Sequence, residues 1–364
     1  MELVFKGKRT ISEILSEVNC LEKDTKFIFG NSYLFNGDNL IGMLELLKSK
    51  KEFIDLVYID PPFNTNQIFS IGENRTSTIS RKKVDKIAYF DVMDLDSYLK
   101  MMYERFVFIK ELLSENGSLY VHIDTKMGHY FKIMLDEIFG KDCFKNDITR
   151  IKSNPKNFDR KAYGNQKDMI LFYAKNPKKN IWNEIREPLD YTEIETKFPK
   201  IDLDGRRYTT IPLHAPGESK GVTGQSWRGM MPPEGRHWRT SPAEFERMDS
   251  HGLIEWSSTG NPRIKKYADE HKGKKIQDIW EYKDPQYPVY PTQKNQDMIE
   301  FIIKQSSNIN GYVMDCFAGS GSTLLAAINT GRKFIGMDQS EAAIEIIKKR
   351  LANIEYTYEA SNKS

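Results

Sequence analysis

The chain has 364 residues, of which 39% are hydrophobic and 12% aromatic, enough for one large domain with an insertion or for two domains. Its 54 basic and 51 acidic residues give a net charge of only +3, which excludes a simple polybasic nucleic-acid binder but not local basic patches. No stretch reaches the ~20 apolar residues of a membrane span, and the N-terminus lacks the apolar segment of a signal peptide. A cytoplasmic protein without membrane contact is therefore expected.

Residues 1–26 predict a short amphipathic helix and a linker, an N-terminal extension. From residue 27 to about 176 strands alternate with helices, and the apolar run Phe53–Ile59 is typical of a buried parallel strand. The polar, basic segment 74–86 predicts a mobile loop. Further elements are predicted at 95–113 (helix), 119–123 (strand), 127–138 (helix) and 169–173 (strand). This alternation predicts an α/β fold with a doubly wound, Rossmann-like sheet.

The sequence changes character between residues 177 and 287, where Gly and Pro become frequent and helical periodicity fades. All five tryptophans fall here, with arginines interleaved among them. We expect an inserted lobe of irregular β structure whose core holds most of the tryptophans. Arg228, Arg236 and Arg239 are better candidates than the tryptophans for contacts with phosphates or base edges.

The α/β pattern resumes over residues 288–364. Elements are predicted at 312–316 (strand), 323–329 (helix), 333–337 (strand) and 341–354 (helix). The three cysteines are far apart and none has a histidine at metal-ligand spacing, so neither a disulfide nor a metal site is expected.

The residues Asp60-Pro61-Pro62-Phe63 directly follow the predicted strand at 53–59. Open α/β sheets bind their ligands just past the carboxyl ends of the strands. The two prolines fix a rigid turn and remove two backbone donors, which leaves carbonyl acceptors around the Asp60 carboxylate. Such a pocket suits a planar ring that carries an amino group.

A second motif, Asp315-Cys316-Phe317-Ala318-Gly319-Ser320-Gly321, lies between a predicted strand and a predicted helix, as a glycine-rich nucleotide loop requires. A dinucleotide fold would place a third glycine at position 324, which is leucine here, so pyrophosphate binding is disfavoured. Asp338 ends the next strand and is placed to bind ribose hydroxyls. A nucleoside without a pyrophosphate fits these residues better than NAD does, and S-adenosylmethionine is such a ligand.

With both motifs, the chain resembles the beta group of DNA amino-methyltransferases, in which the Asp-Pro-Pro-Phe turn comes first and the glycine loop last. The resemblance covers about residues 30–355. It implies that 27–176 is the catalytic half of a methyltransferase domain, 177–287 a target-recognition domain and 288–364 the cofactor-binding half. Further matching segments are Asn36–Leu40, where Asp38 would lie near the cofactor's adenine, and Pro291–Lys294, which would line its methionine end.

The resemblance implies a role for each matching residue. Asp60 and Pro61 would bind the amine of a flipped-out base, beside Pro62, and Phe63 would stack on that base. The cofactor-binding residues would be Asp38, Thr292, Gln293, Lys294, Asp315, Phe317, Gly319, Gly321 and Asp338. The DNA contacts would come from Arg75, Arg81, Lys82, Lys83, Arg228, Arg236 and Arg239.

Double-stranded DNA is the expected substrate and adenine N6 the expected target, because N4-cytosine enzymes of this family more often begin the turn with Ser. Cytosine N4 is the alternative. Carbon-5 methylation is disfavoured because the chain has no Pro-Cys pair. An RNA or protein methyltransferase, a non-catalytic DNA-binding subunit and a dehydrogenase are the rival classes. A homodimer and a separate cognate restriction endonuclease are the candidate partners, and orphan methylation without such an endonuclease is the alternative context.

Overall fold

The computed structural model describes residues 2–19, 26–62, 67–72, 75–77, 86–91, 93–154, 161–285 and 294–361. For the three short ranges between 67 and 91 only the backbone is described. The helices are Ile11–Ser16 (α1), Asn39–Ser49 (α2), Leu95–Leu112 (α3), Thr125–Phe139 (α4), Tyr191–Lys197 (α5), Pro242–Ser250 (α6), Gln296–Ser306 (α7), Ser322–Asn329 (α8) and Glu341–Arg350 (α9). Among these helices, none combines the length and apolarity that a membrane crossing requires.

The strands lie before, within and after the region that the sequence marks as an insertion. Those before it are Tyr33–Asn36 (β1), Ile54–Ile59 (β2), Gln67–Gly72 (β3), Arg75–Ser77 (β4), Lys86–Asp91 (β5), Leu113–Ile123 (β6), Phe144–Ile151 (β7) and Lys167–Ala174 (β8). The next are Arg186–Glu187 (β9), Lys200–Ile201 (β10), Arg207–Pro212 (β11), His214–Pro216 (β12), Arg236–Trp238 (β13), Ile254–Trp256 (β14), Pro262–Tyr267 (β15) and Lys274–Lys275 (β16). The last are Ile279–Glu281 (β17), Tyr312–Asp315 (β18), Lys333–Asp338 (β19) and Thr357–Ala360 (β20).

Nine of these strands form one sheet in the order β17-β7-β8-β6-β2-β18-β19-β1-β20. Its pairings are parallel except that β8 runs antiparallel to both of its neighbours. The early strand β2 lies beside the late strand β18, so the two halves of the chain meet at the centre of the sheet. Parallel neighbours point their carboxyl ends to the same edge, and β1, β2, β18 and β19 therefore end side by side.

Both faces of the sheet are covered by helices, which gives the doubly wound architecture that the sequence predicts. Helices α1 to α4 pack with alternate strand residues, among them Val57 and Met314, in one buried core. The intervening residues face the other side, where the Tyr120 hydroxyl lies 2.8 Å from the Ser306 hydroxyl of α7. The strands are apolar in both registers because neither face meets water.

The chain divides into two compact units, one of residues 1–184 and 277–364 and one of residues Ile185–Ile276. The second unit has a four-stranded antiparallel sheet, β10-β11-β15-β14, and a separate hairpin of β12 and β13. Its core includes Trp227, Trp238 and Phe245. Trp227, Trp238 and Trp280 are buried, but Trp182 and Trp280 belong to the first unit. The core of the inserted unit therefore includes two of the five tryptophans rather than most of them.

Three predictions of local structure need correction. The inserted unit is shorter than 177–287, because β17 pairs with β7 in the large sheet. The predicted loop at 74–86 is wrong at both ends, where Arg75–Ser77 and Lys86–Asp91 pair with β3; strand-prone residues such as Thr76 and Ile87 favour this pairing. The terminal helix ends at Arg350, and residues 357–360 add an edge strand beside β1.

Candidate active site

Four carboxylates lie at the edge where β1, β2, β18 and β19 end. Asp60 follows β2, Asp315 and Asp338 are the last residues of β18 and β19, and Asp38 comes two residues after β1. The turn and the glycine loop predicted from the sequence are therefore neighbours in space, although about 250 residues separate them. The edge thus gathers carboxyl oxygens from four strand ends, where open α/β sheets bind their ligands.

The Asp60 side chain has two different environments at its two oxygens. Oδ2 lies 2.5 Å from the Lys294 ammonium, and both side chains are largely buried, with 17% and 8% of their surfaces exposed. Oδ1 is buried and has no hydrogen-bond partner among the described residues. Because an unpaired buried acceptor is costly, this oxygen is poised to accept a hydrogen bond from a ligand donor.

The turn after Asp60 is held from the side by α3. Pro61 is buried and Pro62 half-buried. The Tyr98 hydroxyl donates to the carbonyl oxygen of Pro62, and the Tyr98 ring stacks on Phe131 at 5.8 Å. Tyr98 thus fixes the position of the Pro61-Pro62 backbone, which has no N–H donors of its own.

The glycine loop between β18 and α8 has the backbone that its sequence predicts. Gly319 and Gly321 have φ of +50° and +74°, in the left-handed region that favours glycine. A Cβ atom on Gly321 would lie 2.9 Å from Cγ1 of Ile347 on α9, so no side chain fits there without movement. The loop therefore turns tightly into α8 and keeps its backbone open to a ligand.

Asp315 and Asp338 organise this loop from the strand ends. Asp315 accepts hydrogen bonds from the Phe317 backbone at 2.9 Å and from the Thr323 hydroxyl at 2.6 Å. Asp338 accepts from the backbone N–H groups of Gly319 and Ser340, both at 2.8 Å. Each carboxylate keeps lone pairs beyond these bonds and remains able to accept from a ligand hydroxyl.

Burial alters the protonation of both strand-end carboxylates. It raises the pKa of Asp315 to about 7, against the opposing hydrogen bonds from Thr323 and Phe317 and with added repulsion from Asp60 and Asp338. Burial also raises the pKa of Asp338, while backbone hydrogen bonds oppose that rise. Asp315 therefore changes charge near neutral pH.

Asp38 caps α2 and accepts from the Leu40 backbone at 2.8 Å. Arg105 of α3 donates to Asp38 at 2.8 Å and to the Asn39 amide oxygen at 2.6 Å. The Asn39 amide donates in turn to the Cys316 carbonyl at 2.5 Å, which links this cap to the glycine loop. The family pattern predicts Asp38 but not Arg105, which lies 67 residues away and carries no local signal.

The ammonium of Lys294 pairs with Asp60. The place of Lys294 in the cofactor pocket, which the resemblance implies, stays a prediction. Several predicted residues lie outside the described residues: Phe63, Arg81, Lys82, Lys83, Thr292, Gln293 and the side chain of Arg75. Their roles remain predictions.

The three predicted arginines of the inserted unit have unlike surroundings. Arg228 forms ion pairs with Glu246 and with Asp249 (2.7 Å) and lies over the rings of Trp227 and Trp256, so its charge is already balanced. The sequence does not reveal this, because the two carboxylates come from α6, 18 and 21 residues away.

Arg236 and Arg239 are exposed and lie around His214 in the β12–β13 hairpin. Arg236 donates to His214 at 3.2 Å, and Arg239 donates to the Pro212 carbonyl at 3.0 Å. Burial, together with the charges of Arg236, Arg239 and Arg263, lowers the pKa of His214. The described contacts of these three arginines include no carboxylate, unlike those of Arg228, so this hairpin carries a local excess of positive charge.

Comparison with known proteins agrees with this geometry. The family model for DNA methylases of the N6 and N4 type matches residues 54–349. The chain is 38% identical over 336 residues to the Type II methyltransferase M.EcaI of Enterobacter cloacae, a match that covers 91% of this chain and 71% of that one.

Two further relatives extend the comparison. The Type II methyltransferase M2.LlaDCHI of Lactococcus lactis is 39% identical over 325 residues, which cover 88% of this chain and 89% of the relative. The DNA adenine methyltransferase YhdJ of Escherichia coli is 24% identical over 328 residues, which cover 89% and 84%.

Proposed function

The chain belongs to the N6/N4 family of DNA methylases, and from this premise we propose that it methylates the N6 amine of adenine at a specific sequence in double-stranded DNA. The observation that carries the proposal is the Asp60 carboxylate, which has one oxygen paired with Lys294 and the other buried without a partner among the described residues. An exocyclic NH2 group is a donor of the required kind. Cytosine N4 presents the same group and is the alternative.

The residues of the glycine loop fit S-adenosylmethionine, the methyl donor of this family. Left-handed backbone at Gly319 and Gly321 permits close approach of a nucleoside, and Asp338 keeps acceptor capacity for ribose hydroxyls. Phe317, Asp315 and Asp38 complete the proposed pocket, to which Thr292 and Gln293 are assigned by sequence alone. When bound, S-adenosylmethionine supplies an electrophilic methyl group.

The amine of adenine is a poor nucleophile because its lone pair is delocalised into the ring. A hydrogen bond from N6 to Asp60 Oδ1, and a second to the Pro61 carbonyl, would direct that lone pair away from the ring plane. Tyr98 holds the turn that carries both acceptors. The chain thus contributes position and electrostatics rather than a covalent bond to the substrate. One amine proton leaves to solvent as the methyl group takes its place.

Two features support adenine over cytosine. The turn begins with Asp rather than Ser, and the relative YhdJ is named as a DNA adenine methyltransferase. The other two relatives are Type II methyltransferases, which favours a restriction-modification context with a separate endonuclease. That endonuclease and a homodimer stay predictions.

The direct test is methylation of plasmid DNA, followed by digestion to nucleosides and mass spectrometry. We expect N6-methyladenine from the wild type and none from Asp60→Ala, with DNA binding retained. Asp297→Asn removes an exposed carboxylate on α7 and is the matched control. N4-methylcytosine alone would contradict the choice of base, and transfer to structured RNA but not to plasmid would contradict the choice of substrate. Sequencing of single methylated molecules would then give the recognition site.

We further propose that Arg236 and Arg239, joined by Arg263, contact the DNA, whereas Arg228 supports the core of its unit. Removing a phosphate contact weakens binding and reduces the slope of log K against log salt by about 1. Arg236→Ala and Arg239→Ala are expected to do so. Arg247→Ala is the control, because Arg247 is exposed but already paired with Glu244. Equal slopes for all three variants would contradict this assignment.

A further inference from the structure

A row of polar side chains crosses four neighbouring strands below the Asp60 turn. The Tyr58 hydroxyl of β2 lies 2.9 Å from Nδ1 of His122 on β6, and Nε2 of His122 lies 3.1 Å from Asp168 on β8. Asp168 contacts Lys152 at 2.6 Å and Arg150 of β7 at 3.5 Å. Tyr58, His122, Asp168 and Arg150 are all at most 3% exposed.

The protonation of this row follows from its partners. Asp168 is a carboxylate: burial alone would raise its pKa, but the hydrogen bond from His122 and the Lys152 charge hold that pKa well below the usual range. A carboxylate only accepts, so His122 donates from Nε2 and accepts the Tyr58 proton at Nδ1. Burial lowers the pKa of His122, against the opposing hydrogen bond to Asp168, and so favours the neutral ring.

The far end of the row holds Tyr282 and Asp284, which precede Lys294 in the chain. Arg150 donates to the Tyr282 carbonyl at 2.8 Å and to the Asp284 carboxylate at 2.5 Å. Between these two residues, the Lys283 carbonyl accepts from the Asn295 amide at 2.9 Å. Asn295 is the N-cap of α7 and directly follows Lys294.

The contacts therefore close into a ring. One end is Tyr58, two residues before Asp60 on the same strand, and the other is Asn295, next to Lys294. The Asp60–Lys294 ion pair joins the two ends. We propose that this ring is a positioning network, anchored by Arg150, that holds the Lys294 ammonium against Asp60 and so sets the orientation of the acceptor for the target amine.

Lys294 needs such a network because lysine has a flexible four-carbon side chain, and holding it in one conformation costs rotamer entropy. Hydrogen bonds hold the backbone of β2, which precedes Asp60, and the N-cap Asn295, which follows Lys294, and they thereby reduce the conformations that Lys294 samples. Arg150 and Asp168 would each be costly to bury alone, but here every charge has an opposite partner, and such networks favour one geometry over others.

The test uses Asp284→Asn, because Asp284 is 41% exposed and its loss does not open the core. Glu281→Gln is the matched control, a neutralised carboxylate three residues earlier that is 67% exposed and contacts Lys283. This proposal rests on the proposed methyl transfer, so single-turnover transfer by the wild type is measured first. Absence of any transfer there would refute the function itself.

We expect Asp284→Asn to slow single-turnover transfer by about 10- to 100-fold, as small misplacements in a site do, with affinity for S-adenosylmethionine unchanged. Glu281→Gln should transfer at the wild-type rate. In a Lys294→Met background the same Asp284→Asn change should have no further effect, because the side chain that it positions is gone. Additive effects of the two substitutions would overturn the proposal.

A second measurement does not depend on transfer. In protein labelled with 13C-lysine, the ε-CH2 signal of Lys294, assigned by its loss in Lys294→Met, should be single and sharp in the wild type and in Glu281→Gln. In Asp284→Asn and in Asn295→Ser, which keeps the helix cap but loses the amide donor, the signal should shift or broaden. An unchanged signal in both variants would overturn the proposal whatever the activity.

Discussion

The pKa of the buried Asp315 predicts how the free energy of unfolding of this protein depends on pH. Its folded value is about 7 and its ordinary value is 3.8, so the folded protein binds a proton more tightly than the unfolded chain does. Stability from this group is therefore complete below pH 3.8 and is lost as pH rises towards 7. Each pKa unit corresponds to about 1.4 kcal/mol, which gives a total loss of about 4 kcal/mol.

The substitution Asp315→Asn should remove this dependence. Asparagine keeps an oxygen for the Phe317 backbone, and the Thr323 hydroxyl can accept from the new amide. Urea denaturation from pH 5 to pH 8 gives the free energy of unfolding of both proteins. Over this range we expect the wild type to lose about 2.5 kcal/mol more than the variant.

Other groups titrate over the same range, so the quantity to compare is the difference between the two curves. The exposed Asp297→Asn variant serves as the control and should follow the wild type. Parallel curves for the wild type and Asp315→Asn would mean that the carboxyl titrates at its ordinary pKa in the folded state. Burial at the end of β18 would then not raise the pKa of Asp315.

Three further substitutions test other parts of the structure. Gly321→Ala should lower the free energy of unfolding in urea by about 2–5 kcal/mol, because it adds left-handed backbone strain and a clash with Ile347. Gly252→Ala, at a φ of +70° with open space around it, should show only the strain of about 1–2 kcal/mol. Equal losses for the two variants would refute the clash. Tyr98→Phe removes the hydrogen bond to the Asp60 turn and should slow methyl transfer without weakening cofactor binding in calorimetry; an unchanged rate would contradict its supporting role. Phe245→Ala should destabilise the inserted unit by about 3–5 kcal/mol and abolish DNA binding in gel shifts, and full binding would contradict a core role.

Much of the fold can be predicted because its strands are buried on both faces. The continuous apolar run at 53–59 gives β2 to within one residue, and the predicted helix at 95–113 differs from α3 only at its end. By contrast, β7 is missed because its residues Phe144–Ile151 mix charged, polar and apolar side chains near the edge of the sheet. Such a mixture lacks both the apolar run and the strict alternation by which a strand is recognised.

The candidate site divides in the same way. Its local motifs, the turn at Asp60 and the loop at Gly319 and Gly321, are visible in the sequence because a strand end and a left-handed backbone demand particular residue types. The long-range contacts that complete the site are not visible in the sequence. Lys294 pairs with Asp60 across 234 residues, and only the closed sheet brings these two residues together. The surroundings of Arg228 are hidden for a similar reason: the sequence shows its charge but not the carboxylates that pair with it.

The pairing of β2 with β18 has a consequence for how the chain acquires its structure. Leu56 pairs with Val313, a separation of 313 − 56 = 257 residues, so the centre of the sheet closes only after most of the chain has left the ribosome. Unit Ile185–Ile276 is complete in sequence well before that and has its own core, so we expect it to fold first. Long-range parallel pairing is slow, and the side of β2 that pairs with β18 stays unpaired during synthesis. The apolar strand β2 is therefore exposed to association with other chains for longer than a strand whose partners lie close in sequence.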